Sequence, residues 1–225
     1  MIKAIYFDWG HTFATFFENR EQKLDQILKP FGFNWWTFNH FWRGFYILRS
    51  SGKIESDKEL EIFIRRVAQK DIPVQKIIET TIKNHFISTK HIEIVKKLKK
   101  KYKVGILSNN VQEWVDKVIK NCKIEKLFDA VIVSSKVKAR KPNAKIYYEA
   151  IKKLSVKPEE TIFVADEIAE DLVAASGLGI KTIWFNMSQK GSWEEDDRNI
   201  LKIYKPNASI KNLKEVINVV KAMNK

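Results

Sequence analysis

The sequence predicts an α/β fold, a Rossmann-like parallel sheet with helices on both faces, and three observations predict it. Apolar runs of strand length recur at 2–7, 104–107, 130–133, 162–164 and 182–184. Amphipathic helical patterns lie between or after them, at 92–101, 111–120, 144–154 and 213–223. Such alternation builds a parallel sheet covered on both faces. The third observation is an interruption: residues 14–91 carry no alternation and read as helices throughout, an insertion after the first strand.

The first run, Ile2 to Phe7, delivers Asp8 at its C-terminal end, and Gly10 permits a sharp turn. Within the insertion, Leu24, Ile27 and Leu28 mark one helix, Leu60, Phe63, Ile64 and Val67 another, and Val74, Ile77, Ile78, Ile82 and Phe86 a third. Residues 31–46 are dense in aromatics. Trp35, Phe38, Trp42 and Phe45 recur at helical spacing, which core packing explains. Trp36, Phe41 and Tyr46 fall on other faces, available to a substrate pocket or a dimer interface, with core packing the favoured reading of the segment. Arg43 and Arg49 are candidates for a substrate's anionic end, whereas His40, His85 and His91 have no metal-ligand spacing. The second strand, Val104 to Leu107, ends in Ser108 and Asn109, a hydroxyl and an amide able to hydrogen-bond a phosphoryl oxygen. Lys138, Arg140 and Lys141 precede Pro142 and the next helix, where loop cations can neutralise an anion. After the strand 161–165 come Asp166 and Glu167, with Glu170 and Asp171 about one helical turn further on. Hard oxygen ligands of this kind suit Mg²⁺. The polar stretch Ser188 to Asn199 reads as an exposed loop whose acids need no catalytic role.

Asp8 to Thr12, Ser108-Asn109, Lys141-Pro142 and Asp166 to Asp171, in that order, resemble the four motifs of the haloacid dehalogenase-like (HAD) hydrolase superfamily, over almost the whole chain. The resemblance implies a core of residues 1–13 and 92–225 and a helical cap of residues 14–91, hinged near 13–18 and 88–91. It implies that Asp8 attacks phosphorus to form an aspartyl-phosphate, and that Thr12, Ser108 and Lys141 hold the phosphoryl group or orient the nucleophile. It further implies that Asp8, the Gly10 carbonyl, Asp166 and Asp171 bind Mg²⁺ directly or through water, with Gly10, His11 and Asn109 beside the substrate.

One position departs from that pattern. Most phosphatases of the superfamily read Asp-x-Asp and use the second Asp to move protons, and this chain has Gly10 there. A side chain in that role contributes ~10²–10⁴ in rate, so activated acyl or aryl phosphates would suffer least from its loss. His11 and Glu167 are the nearest substitutes; for His11 a turn residue facing away is the favoured reading. Relatives without the second Asp include 2-haloacid dehalogenases, which need no metal. Retention of Asp166 and Asp171 favours a Mg²⁺-dependent phosphohydrolase acting on a small phosphorylated metabolite. A dehalogenase and a non-catalytic phosphate-binding or interaction protein are the alternatives.

Composition agrees with a single enzyme of moderate size. Lys and Arg total 41 against 27 acids in 225 residues, a formal net charge of +14. The surplus is spread along the chain without a nucleic-acid-binding motif and reads as a solvated surface. The lone Cys122 reads as a buried small apolar residue and points to a reducing cytosol. No apolar run approaches ~18 residues, and the chain opens directly on a strand. The expectation is a cytoplasmic protein, monomer or homodimer, that binds neither membrane nor nucleic acid.

Overall fold

The computed structural model describes residues 1–186 and 194–224. The chain runs β1 (Ala4–Phe7), β2 (Thr15–Phe16), α1 (Arg20–Leu28), α2 (Trp35–Ser50), α3 (Asp57–Ala68), α4 (Val74–Lys83), β3 (His85–Phe86), α5 (Thr89–Lys99) and β4 (Lys103–Ser108). It continues with α6 (Gln112–Asn121), β5 (Ala130–Val133), α7 (Ser134–Val137), α8 (Ala144–Leu154), β6 (Thr161–Ala165), α9 (Val173–Gly177), β7 (Lys181–Phe185), α10 (Glu194–Ile203), β8 (Ala208–Ile210) and α11 (Val216–Ala222).

Six strands form one parallel sheet in the order β5-β4-β1-β6-β7-β8. Strand alternation divides the core. Ile5, Phe7, Val104, Ile106, Ile162 and Val164 face one way, against helices including α5, α6 and α11. Ala4, Tyr6, Leu107, Phe163 and Ala165 face the other, against α8 and α9. Period-two side chains on strands buried on both faces account for the continuous apolar runs in the sequence. Gly105 is needed where it stands: a Cβ there would lie 2.3 Å from the Tyr6 ring.

The segment between β1 and α5 holds four helices, with Leu24, Phe38, Ile64 and Ile77 fully buried in a core continuous with the α5–α6 face of the sheet. Its two ends are tied by the antiparallel pair β2–β3. Several contacts seat α2 on the sheet domain. Trp42 stacks on Trp114 of α6 with ring centroids 6.2 Å apart and planes 15° apart. Arg49, 4% exposed, pairs with Asp57 at 3.0 Å and Glu113 at 3.1 Å, and Ser134 Oγ donates to the Ser50 carbonyl at 2.6 Å. Arg49 therefore serves packing; the expectation that it meets a substrate does not hold.

Other differences have local causes. The fourth insertion helix stops at Lys83, where the C-cap Asn84 also folds its amide back onto the Thr80 carbonyl at 2.7 Å, so Phe86 belongs to β3 and is exposed. Strand β8 and helix α7 have only three and four residues, too short for periodicity to show. Residues 188–193 of the polar stretch lie outside the described residues, and 194–199 start α10 instead of continuing a loop, a helix whose polarity hid it. Cys122 is half-buried at the end of α6, not fully buried. Among the described residues no helix is long and apolar enough to cross a membrane.

Candidate active site

Strand β1 lies between β4 and β6, so Asp8, Ser108 and Asp166 emerge side by side at the C-terminal edge of the sheet, where open α/β sheets bind ligands. The Asp8 backbone N–H donates to the Val164 carbonyl at 2.9 Å, extending the β1–β6 pairing to the carboxylate. The chain then turns sharply. Thr12 N–H donates to the Gly10 carbonyl at 2.7 Å, and His11 between them takes a φ of 56°. His11 is exposed and meets the Phe16 ring edge-on, centroids 6.4 Å apart. The turn brings the Thr12 hydroxyl to Asp166, donating to Oδ1 at 2.9 Å.

Lys141, 3% exposed, occupies the middle of the cluster. Its Nζ donates to Asp8 Oδ1 at 2.6 Å and lies 2.8 Å from Asp171 Oδ1, an ion pair without a directed hydrogen bond. Burial would strip the ammonium of its proton, but Asp171 and Asp8 outweigh it and hold the lysine pKa above its usual value. Both carboxylates are pushed up, by burial first, with Lys141 opposing; Asp166 raises Asp8 further. Two carboxylates thus share one ammonium in a nearly dry site, with Asp166 adding more negative charge.

That surplus negative charge fits a hard cation. Asp8 and Asp166 can supply some of the few oxygen ligands that Mg²⁺ takes from proteins while keeping several waters, with the Gly10 carbonyl, which accepts the Thr12 N–H, as a further candidate. Asp171 is spent on Lys141, and among the described residues no three His, Cys, Asp or Glu side chains converge as a closed metal cage. Direct ligation by Asp171 is therefore not what the arrangement favours.

Asn109 also differs from expectation. Its Oδ1 accepts from the Lys141 N–H at 2.8 Å, and its Nδ2 donates to the Lys141 carbonyl at 3.0 Å and to Glu170 Oε1 at 2.8 Å. Both amide donors are used, so Asn109 pins the lysine loop in place of binding phosphate. Ser108 sits at the end of β4, 3% exposed.

Sequence reasoning missed the supporting ring. Tyr46 OH, from α2, donates to the Asn109 carbonyl at 2.8 Å, and its ring stacks on Trp114 at 6.0 Å. Arg140 reaches Glu170 at 3.4 Å and Ser50 Oγ. Tyr147 OH donates to the Asp171 carbonyl at 2.9 Å. Tyr46 carried a signal, as an aromatic off the buried stripe of its helix; Trp36 on the same helix is instead 72% exposed, and Phe41 packs on Phe38 and Phe45. Asp171 and Glu170, which face different partners, lie within Ile168–Leu172, a π-helical turn closed by Val173 N–H to the Ile168 carbonyl. A surface cavity of about 440 Å³ between α1 and α4, lined by Lys23, Lys76, Lys83 and Thr80 among others, includes none of these residues.

Comparison with known proteins agrees with this fold. Residues 47–185 match the sequence family described as haloacid dehalogenase-like hydrolase. The chain is 30% identical over 133 residues to the pyrophosphatase PpaX of Bacillus mycoides (strain KBAB4), covering 59% of each. It thus spans about three fifths of the length of the curated relatives it matches. Among solved structures, the HAD family enzyme bt-2542 from Bacteroides thetaiotaomicron, in complex with magnesium and inorganic phosphate, superposes with a TM-score of 0.70 at 24% identity, covering 85% of this chain and 98% of that one. The 2-haloacid dehalogenase from Pseudomonas syringae pv. Tomato DC3000 superposes with a TM-score of 0.71 at 17% identity, covering 99% of both.

Proposed function

Because the chain belongs to the haloacid dehalogenase-like hydrolase family, we propose that it is a Mg²⁺-dependent phosphohydrolase acting on a small phosphorylated metabolite through Asp8. The observation that carries this reading is the 2.6 Å contact between Asp8 and Lys141 at the end of the central strand, with Ser108 and Asp166 on the neighbouring strand ends. Lys141 holds one oxygen of Asp8 and leaves the other to attack phosphorus. The same ammonium, with the Ser108 hydroxyl, meets the phosphoryl oxygens, while the Thr12 hydroxyl donates its hydrogen bond to Asp166 and orients that carboxylate. Asp171 and Asn109 position Lys141, from its side chain and its backbone. Asp8, Asp166 and the Gly10 carbonyl would hold Mg²⁺, which supplies charge neutralisation between an anionic nucleophile and an anionic substrate. Residues 14–91 act as a cap over the site, with 1–13 and 92–225 as the core. Phosphoryl transfer is favoured over dehalogenation because Asp166 adds a carboxylate near Asp8 beyond the two that share Lys141, a repulsion that a cation relieves and a metal-free site does not. The PpaX relatives, named as pyrophosphatases, support a phosphorylated substrate.

The test is phosphate release from an aryl phosphate, an acyl phosphate and a panel of phosphorylated metabolites, with Mg²⁺ and with chelator. Asp8→Asn and metal removal should each abolish release while the fold, followed by circular dichroism, is retained. An Asp8→Asn variant as active as the wild type would sink the mechanism.

A further inference from the structure

We infer that this site is built for phosphorylated substrates whose leaving oxygen departs without a proton from the protein: acyl phosphates, phosphoanhydrides and aryl phosphates, as against simple alkyl phosphate esters. The inference rests on the phosphohydrolase reading and concerns the half of the site that faces the leaving group.

Several titratable groups around Asp8 are already engaged by protein partners. Lys141 is held between Asp8 and Asp171. Asp166 accepts the Thr12 hydroxyl, and Glu170 accepts from Asn109 and Arg140. The Tyr46 hydroxyl donates to the Asn109 carbonyl and the Tyr147 hydroxyl to the Asp171 carbonyl. Arg140 is bound to Glu170 and Ser50. Each of these groups thereby has a protein partner. At Gly10, two residues past the nucleophile, there is no side chain at all, and a Cβ built there meets no atom within 4 Å. Gly10 is not among the residues with positive φ, so its backbone suits an L side chain. His11, next along, is exposed and turned against Phe16. The nucleophile is thus well held while the position two residues past it carries no acid.

The chemistry that follows is balanced without one. An Asp8 oxygen forms a bond to phosphorus as the phosphorus–oxygen bond to the leaving group breaks, and the electron pair leaves with that oxygen as a carboxylate, phosphate or phenolate. Water then attacks phosphorus, the phosphorus–oxygen bond to Asp8 breaks, and its electron pair restores the carboxylate. The water protons pass to the released phosphate and to solvent. An alkoxide is too basic to leave in this way, and a missing general acid costs ~10²–10⁴ in rate for such substrates.

The experiment compares wild type and Gly10→Asp on para-nitrophenyl phosphate, phenyl phosphate, methyl phosphate and acetyl phosphate with Mg²⁺. For the wild type, kcat/KM should fall steeply from the para-nitrophenyl to the methyl ester, with acetyl phosphate among the good substrates. Gly10→Asp should flatten the series, with a gain on the methyl ester of ~10²–10⁴ that shrinks towards the para-nitrophenyl ester. Wild-type turnover as fast on the methyl as on the para-nitrophenyl ester would overturn the inference and leave the phosphohydrolase intact. Silence on all four substrates, in both proteins, would overturn the phosphohydrolase reading itself.

Discussion

Lys141 carries more of this site than any other single side chain, because it is the counterion for two buried carboxylates and, on the proposed reading, for the substrate as well. Lys141→Met should abolish activity and lower unfolding free energy by about 3–5 kcal/mol, the usual cost of leaving one side of a buried ion pair unpaired. The loss should depend on pH with a definite sign. Burial already holds Asp8 and Asp171 above the ordinary carboxylate range. A carboxyl group whose folded-state pKa exceeds its unfolded one contributes stability below the unfolded value and loses it as pH rises through the folded value. The variant should therefore recover relative to wild type on acidification in denaturant titrations; a deficit independent of pH would contradict the charge argument. Asp8, Ser108, Lys141 and Asp166 were legible in the sequence because each follows an apolar run or stands just before a helix. The tasks of Asn109, Asp171 and Tyr46 were not legible, since which of several polar partners a side chain takes is decided by distances across 30 to 60 residues or more, as in the Asn109–Lys141 and Tyr46–Asn109 contacts.

At the scale of elements, the β2–β3 ribbon is a small tie with a titratable member. His85 lies against Phe16 at 4.4 Å between ring centroids, and its Nδ1 is 2.9 Å from the Thr81 carbonyl. Burial first, and the charge of Arg20 second among the effects that lower it, bring its pKa from 6.5 down to about 4. The unfolded chain therefore binds the proton more readily, and the stability from a neutral His85 is complete above pH 6.5 and lost as pH falls towards about 4. Up to about 3 kcal/mol is involved. His85→Leu should narrow its stability gap to wild type by about that amount between those limits, measured by denaturant unfolding across pH; parallel curves would refute it. Element reading from sequence succeeded where the period was long or the strand fully apolar. Helix α8 (Ala144–Leu154) and strand β5 (Ala130–Val133) coincide with the expected 144–154 and 130–133. It failed for the two-residue ribbon strands, for β8 and for polar α10, none of which leaves a hydrophobic period to find.

For the whole molecule, the net charge of +14 is a long-range term that no single contact expresses. A field of that sign should draw anionic substrates to the site and be screened within about 10 Å at 0.1 M salt. Raising ionic strength should therefore lower kcat/KM for a phosphorylated substrate several-fold while leaving kcat nearly constant, measured by steady-state kinetics at fixed Mg²⁺. A change confined to kcat would assign the salt effect to the site and not to encounter. The overall architecture was readable because alternating β and α patterns leave few topologies open, whereas the way the helical insertion rests on the sheet depends on pairs such as Trp42 and Trp114, 72 residues apart. That stack has an optical consequence. Two indoles so close and nearly parallel, one on the insertion and one on the sheet domain, perturb each other's excited states, so the near-ultraviolet ellipticity and emission of the protein are gauges of their separation. Any change in the spacing of the two tryptophans should therefore be readable in stopped-flow without a label, and replacing Trp114 with phenylalanine should remove that part of the signal.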